Sequence, residues 1–311
     1  MNKILVTGGA GYIGSILTEQ LLIEGFDVTI LDNFMYSDSS LNHLHHYDNL
    51  KIVKGDVRDK NKILSCLKLA DIIIPLAAYV GAPLCEFDPV GAKTINKDAI
   101  DLILDNVSKN QLILMPTTNS AYGSGDENNY CDENSPLNPI SNYAIEKVEV
   151  EKKLLTHENS ISFRLATVFG MSPRMRVDLL VNDFVLRACY DKYLVLFEGH
   201  FKRNYIHVRD VSKVFLHGIE NFEKMKQNIY NVGLSDANLS KIELCNLIKS
   251  HINNFVFFEE KLSKDKDQRN YIVSNKKIEK TGFKPGFSID DGIKELIKGY
   301  TSIKVKNNSN I

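Results

Sequence analysis

The chain has 311 residues, 43% of them hydrophobic, and a formal net charge of −1. That length allows one large α/β unit or two modest domains, while the absence of a basic stripe speaks against a nucleic-acid partner and no apolar run approaches the ~18 residues of a membrane span. The five cysteines (Cys66, Cys85, Cys131, Cys189, Cys245) are scattered singly with no C-x-x-C pair, and the N-terminus enters a strand without a signal peptide, so a reducing cytoplasm is expected.

Lys3-Ile4-Leu5-Val6 is a short apolar run suited to a buried strand, and Thr7-Gly8-Gly9-Ala10-Gly11-Tyr12-Ile13-Gly14 follows directly. Ile13, Ile16, Leu17 and Leu21 then fall at helical spacing, which places the glycines at a strand-to-helix turn. Glycines there let the chain turn tightly and let a pyrophosphate approach the main chain, while the helix N-terminus offers N–H groups to the anion. A second strand, Asp27 to Leu31, ends at Asp32. A carboxylate at that tip can accept the adenosine ribose hydroxyls and would repel a 2′-phosphate, so NAD is expected over NADP.

The polar loop from Asn33 to Tyr47 holds His43, His45 and His46, but no carboxylate or cysteine is spaced to complete a metal shell. A third strand, Leu50 to Lys54, leads into Gly55-Asp56-Val57-Arg58-Asp59 and a short helix through Leu67. Asp71 to Ala78 reads as a fourth strand ending in Leu76-Ala77-Ala78, small residues that serve closeness to a cofactor and plain helix packing equally. A loop with Gly81-Ala82-Pro83-Leu84-Cys85 precedes a helix from about Ala92 to Val107, and a fifth strand, Gln111 to Met115, runs into Pro116-Thr117-Thr118-Asn119-Ser120. Alternating strands and helices mean a doubly wound, Rossmann-like parallel sheet with its site at the strands' carboxyl ends.

Ser124 to Pro139 is a polar loop of a length that usually borders a site. Ser141 reads as the cap of a helix, Asn142 to Leu155, and Ile161 to Leu165 as a sixth strand. Beyond Gly170 the character changes. The expected division is a cofactor domain over 1–170 and a smaller α/β substrate domain over 171–311, with about 207–232 packing back on the first. Within the second lie a helix from Asp178 to Tyr190, strands at Tyr193 to Phe197 and Phe201 to Val208, and a helix from Val211 to Phe222. Glu259 to Arg269 is a charged, solvated run, and Lys304 to Ile311 a frayed end.

Tyr143 and Lys147 stand one helical turn apart on one face. Removing hydride from an alcohol carbon needs a base for the hydroxyl proton. A phenol of pKa ~10 needs about 4 kcal/mol of help to be half ionised near neutrality. A neighbouring ammonium and a positive nicotinamide can provide that field, and Thr118 at the end of the fifth strand would hold the substrate hydroxyl.

Together with Gly8-x-x-Gly11-x-x-Gly14, Asp32, Asp56-Val57, Leu76-Ala77-Ala78 and Tyr205-Ile206-His207-Val208-Arg209-Asp210-Val211, this set resembles the extended short-chain dehydrogenase/reductases that act on nucleotide sugars. The resemblance implies NAD held along Gly8, Gly11, Tyr12, Ile13, Gly14, Asp32, Asn33, Asp56, Val57, Leu76, Ala77, Ala78 and Asn96, with Tyr143 as base and Lys147 on the nicotinamide ribose. It implies a nucleotide sugar along Thr118, Asn119, Ser120, Thr167, Arg174, Arg176, Asn182, Arg203 and Arg269, with the arginines suited to a diphosphate. It also implies a homodimer.

In the family's 4,6-dehydratases an Asp-Glu pair follows the threonine; Asn119 and Ser120 stand there instead, against dehydration. Thr167 stands where the family often has an asparagine. The run from Arg164 to Phe184 is similar to a narrower group that includes the GDP-heptose C4-dehydrogenase of capsule-sugar biosynthesis. Oxidation at C4 of a nucleotide sugar is expected, with 4-epimerisation as the alternative and a 4,6-dehydratase or a silent NAD-binding regulator behind it.

Overall fold

A computed structural model describes residues 2–123, 130–260 and 269–302. The first half runs β1 (Lys3–Thr7), α1 (Tyr12–Ile23), β2 (Asp27–Asp32), β3 (Leu50–Lys54), α2 (Lys60–Leu67), β4 (Ile72–Pro75), α3 (Ala82–Phe87), α4 (Pro89–Lys93), α5 (Ala99–Asn106), β5 (Leu112–Thr118), β6 (Tyr130–Cys131), α6 (Asn142–Leu154) and β7 (Ser160–Leu165). The second half carries β8 (Thr167–Phe169), α7 (Leu180–Tyr190), β9 (Tyr193–Phe197), β10 (Lys202–His207), α8 (Val208–Glu220), α9 (Phe222–Met225), β11 (Asn228–Val232), β12 (Asn238–Ser240), α10 (Lys241–His251), β13 (Val256–Glu260), β14 (Ile272–Val273), α11 (Lys276–Glu279) and α12 (Ile289–Ser302).

Seven strands form one parallel sheet in the order β11-β7-β5-β4-β1-β2-β3. This is the expected Rossmann-like doubly wound sheet. The strand order reverses between β1 and β4, and the crevice at their carboxyl ends is where such sheets bind ligands. Side chains alternate across each strand, so Ile4 and Val6 of β1 enter one apolar layer and Leu5 the other. α1 and α8 cover the first layer; α2, α5 and α6 cover the second. Burial on both faces is why β4 reads as an unbroken apolar run, Ile72 to Ile74. The first layer continues into α7, α10 and α12, so the two halves of the chain share a core. Smaller sheets, β12-β10-β8, β13-β9 and β14-β6, complete the second half.

Several elements differ from their expected form for local reasons. The loop expected at Gly81 to Cys85 is the short helix α3, with Pro83 in its first turn, where the missing N–H costs nothing. The helix expected from Ala92 starts at Pro89 behind Asp88, whose Oδ1 accepts the Gly91 N–H at 2.8 Å, and it is interrupted by a π turn at Thr94–Asp98. β5 runs on past Met115 to Thr118 despite Pro116. By then it has left β4, which it meets only at Leu112 and Ile113, so the missing proline N–H breaks no pairing on that side. α8 begins at Val208, three residues before the expected start, because the His207 side chain caps it.

Of the long polar stretch Ser124 to Pro139, residues 124–129 lie outside the described residues, and Tyr130–Cys131 pairs with β14. The charged run opens within β13, its residues 261–268 lie outside the described part, and so does the C-terminal stretch from 303 onward. Among the described residues no helix is long and apolar enough to cross a membrane, and no group of three or more His, Cys, Asp or Glu side chains is gathered to hold a metal.

Candidate active site

The turn between β1 and α1 packs against the end of β4. Gly8 has φ +72°, and a Cβ there would lie 2.6 Å from the Ala77 nitrogen; a Cβ on Gly14 would lie 2.3 Å from Gly8 O. Neither position accepts any other residue. Gly11 precedes α1 with no side-chain cap, which leaves the helix's first N–H groups to an anion. Asp32 closes the far side: its Oδ2 accepts the Ala10 N–H at 2.9 Å and its Oδ1 the Phe34 N–H at 2.8 Å, and burial pushes its pKa up.

Of the residues expected at a cofactor, Gly8, Gly11, Asp32, Asn33, Asp56, Val57, Leu76, Ala77 and Ala78 line one cleft. A cradle that a Cβ would fill, an uncapped helix N-terminus and a carboxylate at the tip of β2 fit a dinucleotide. Asp56 lines the cleft with its carboxylate already paired. Arg58 holds its carboxylate bidentately, with Nε at 2.8 Å and Nη2 at 2.7 Å, and keeps its pKa at about 2.

The side chains of Tyr12, Ile13 and Asn96 support the groove from behind. The Tyr12 hydroxyl donates to Gly170 O at 2.7 Å, and Ile13 packs on the apolar layer. Asn96 is fully buried; its Oδ1 accepts the Tyr79 N–H at 2.8 Å and its Nδ2 donates to Tyr79 O at 3.0 Å, holding the segment after β4. For Asn96 this corrects the expected cofactor contact, because its amide is already spent on that segment.

Ser141 Oγ accepts the Ala144 N–H at 3.3 Å and starts α6, with Tyr143 in its first turn and Lys147 one turn on. At the end of β5, Thr118 Oγ1 accepts the Ser120 N–H at 3.0 Å and donates to Ser120 Oγ at 3.0 Å. Arg269, from the other end of the chain, donates to the same Ser120 Oγ. Arg176 and Arg269 both act electrostatically on Tyr143, so the second half of the chain delivers its positive charge to the phenol.

The electrostatics correct one expectation. Burial pushes Tyr143 up to about 12, the Cys85 thiol adds to that, and Arg176 and Arg269 pull the other way. Lys147, 3% exposed, is pushed down to about 8 by burial, against the opposing pull of Cys85 and Glu146. Among the protein's own groups, then, Arg176 and Arg269 are the cations that favour the phenolate, while burial lowers the proton affinity of Lys147.

The expected substrate residues divide. Ser120, Arg176 and Arg269 gather near Thr118 and Tyr143. Arg203 is buried with its guanidinium 5.5 Å from the Tyr271 ring centroid, and Thr167 lies on β8 beside Tyr205. Asn119 is 0% exposed and neither amide atom has a hydrogen-bond partner among the described residues. Asn182 departs from expectation: its Oδ1 accepts the Gly170 N–H at 3.0 Å and its Nδ2 donates to Arg176 O at 2.8 Å, so it shapes a loop rather than meeting a substrate. Arg174 also lies elsewhere, 4.3 Å from the Tyr36 ring centroid. Sequence reasoning missed Cys85, Glu146, Tyr271 and Tyr36. An isolated thiol or ring carries no spacing signal.

A family model described as the NAD dependent epimerase/dehydratase family matches residues 4–233. The chain is 25% identical to the CDP-paratose 2-epimerase of Salmonella typhi, covering 97% of this chain and 100% of that protein. In fold it is similar to the UDP-glucose 4-epimerase of Thermotoga maritima solved with UDP-glucose (TM-score 0.83, 22% identity, 96% and 99% of the two chains). It is similar also to the dTDP-glucose 4,6-dehydratase DesIV of Streptomyces venezuelae solved with NAD and TYD (TM-score 0.84, 24% identity, 96% and 97%).

Proposed function

The chain belongs to the NAD dependent epimerase/dehydratase family, and from that premise we propose that it oxidises C4 of a nucleotide-linked sugar to a 4-keto sugar. In this reading Thr118 Oγ1 holds the C4 hydroxyl, the Tyr143 oxygen takes its proton, and Lys147 sits on the ribose side. Bound NAD supplies the acceptor for the hydride that leaves C4. The O–H and C–H bonds break and one C=O forms, with the proton on the protein and the electron pair on the cofactor.

One observation carries this reading. Arg269, whose field reaches Tyr143, is hydrogen-bonded to Ser120, which is hydrogen-bonded to Thr118. The arginine whose charge favours the base is thereby tied, through Ser120, to the residue that would hold the hydroxyl. Asn119 and Ser120 carry no carboxylate, so the acid and base needed to expel water are missing from those positions. We take a GDP-linked heptose as the substrate, on the likeness of the run Arg164 to Phe184, a surface polysaccharide as the sugar's destination and a cytoplasmic homodimer as the working form.

The test is incubation with GDP-manno-heptose and with UDP- and dTDP-hexoses, followed by mass spectrometry and NMR of the products. A 4-keto sugar with NADH on the protein is expected, and Tyr143→Phe should slow its formation by about 10² to 10⁴-fold. A C4 epimer with no NADH would make the protein an epimerase. Undiminished oxidation by Tyr143→Phe would remove the assigned base.

A further inference from the structure

The segment from Gly170 to Arg176 is fastened at each step to elements that surround the dinucleotide groove. Gly170 O accepts the Tyr12 hydroxyl at 2.7 Å. Ser172 Oγ donates to Tyr12 O at 2.8 Å and lies 3.1 Å from Ser15 Oγ. Arg174 lays its guanidinium 4.3 Å from the centre of the Tyr36 ring. Arg176 Nη2 reaches Val80 O at 3.5 Å. These partners belong in turn to the first turn of α1, the loop after β2 and the segment after β4, which are the walls of the groove.

Arg174 is the member of the segment that meets the outer wall. It is 5% exposed although charged, whereas Tyr36 is 40% exposed and lines the cleft beside Asp32 and Phe34. A guanidinium over a ring is attracted by the ring's quadrupole, and more strongly when desolvated. The same charge acts on Asp32, the carboxylate at the tip of β2. Asn182, bonded to both Gly170 N and Arg176 O, fixes where the segment starts and ends. Arg174 therefore meets a wall of the cofactor cleft through Tyr36, whereas the sequence grouped it with the sugar-nucleotide residues.

We propose that Arg174 is a cofactor-site residue that, by stacking on Tyr36 in the wall of the dinucleotide groove, ties that wall to the Gly170–Arg176 segment and sets how slowly the cofactor leaves. The proposal rests on the groove holding a dinucleotide and is independent of the C4 chemistry.

The experiment follows NADH leaving the intact protein. The protein is loaded with NADH and mixed with a large excess of NAD, and the loss of bound-NADH fluorescence gives the release rate. Arg174→Ala and Tyr36→Ala should each speed release by about tenfold or more. The double variant should be no faster than the faster single one, because one contact is removed in all three, and Tyr36→Phe, which keeps the ring, should stay close to the parent. An unchanged release rate in Tyr36→Ala, or effects that multiply in the double variant, would overturn the proposal. Tyr36 is exposed enough to be replaced without disturbing the core, so the test stands even if Arg174→Ala does not fold. No sugar is used, so loss of C4 oxidation and failure of this clasp are told apart.

Discussion

Glu151 on α6 and Arg164 on β7 form an ion pair with Nη2 and Oε1 2.6 Å apart and side chains only 4% and 3% exposed. Glu151 continues the face of α6 that carries Tyr143 and Lys147, one turn past the lysine. Its Oε2 also accepts the Thr117 and Ser162 hydroxyls at 2.9 and 2.7 Å. Glu151 thus pins the helix bearing the phenol and the amine to β7 through Arg164 and, through Thr117, to the strand that ends at Thr118.

Breaking that pair from one side strands a buried charge. Glu151→Ala should cost about 3–5 kcal/mol in urea unfolding, while Glu151→Leu combined with Arg164→Met should cost less than either single change, since no charge is then left unpaired.

Lys147 makes stability depend on pH in a defined direction. Its folded pKa of about 8 lies below the unfolded value of ~10.4, so the unfolded chain binds the proton more tightly. Burying the charged amine therefore works against folding below pH ~8 by roughly 3 kcal/mol, and the burden lifts as pH rises from about 8 towards 10. Lys147→Met should melt higher than the parent at neutral pH, lose that advantage in alkaline buffer, and lose the oxidation. Melting curves of both proteins across that range check it.

Asp32 spends both oxygens on main-chain N–H groups, that of Ala10 in the glycine turn and that of Phe34 just after β2. Asp32→Asn removes the charge and sets an amide N–H₂ against one of those donors, so NADH binding should weaken. The preference for NADH over NADPH should fall by about tenfold or more, because bonds to a charged acceptor are worth ~1.5–3 kcal/mol. Fluorescence titration with each reduced cofactor measures both effects.

Asn119 holds two polar atoms without partners among the described residues, in a fully buried position. Each such group costs ~1–3 kcal/mol, so Asn119→Leu, of similar volume, should stabilise the protein by roughly that amount. If a sugar hydroxyl is what satisfies the amide, KM for the nucleotide sugar should rise in the same variant. Thermal melting and steady-state kinetics read the two outcomes separately.

Where chain and space run together, the molecule was legible. The strand Lys3–Thr7, the glycine turn, the helix and Asp32 are neighbours in both, and each glycine answers a local demand. Pro116 and Pro83 show the limit. One sits in a strand because its neighbour strand has already left, and the other starts a helix where a loop was expected; neither context is visible in the residues around it. Arg174 and Arg176, two positions apart, reach partners on different segments, the Tyr36 ring after β2 and Val80 O after β4. The run that contains them read as one substrate-binding stretch.

The amino-acid sequence by itself determined the parallel sheet, the dinucleotide cradle and the Tyr143, Lys147 pair on one helix face, because periodicity, turn chemistry and helical spacing act over a few residues. Only the tertiary structure decided which charges face the phenol. Ser120 and Arg269 stand 149 positions apart, and Tyr12 and Gly170 stand 158 apart. Contacts over such separations are chosen by the packing of the shared core and by how deeply each charge is buried, and neither quantity exists until the chain has closed on itself.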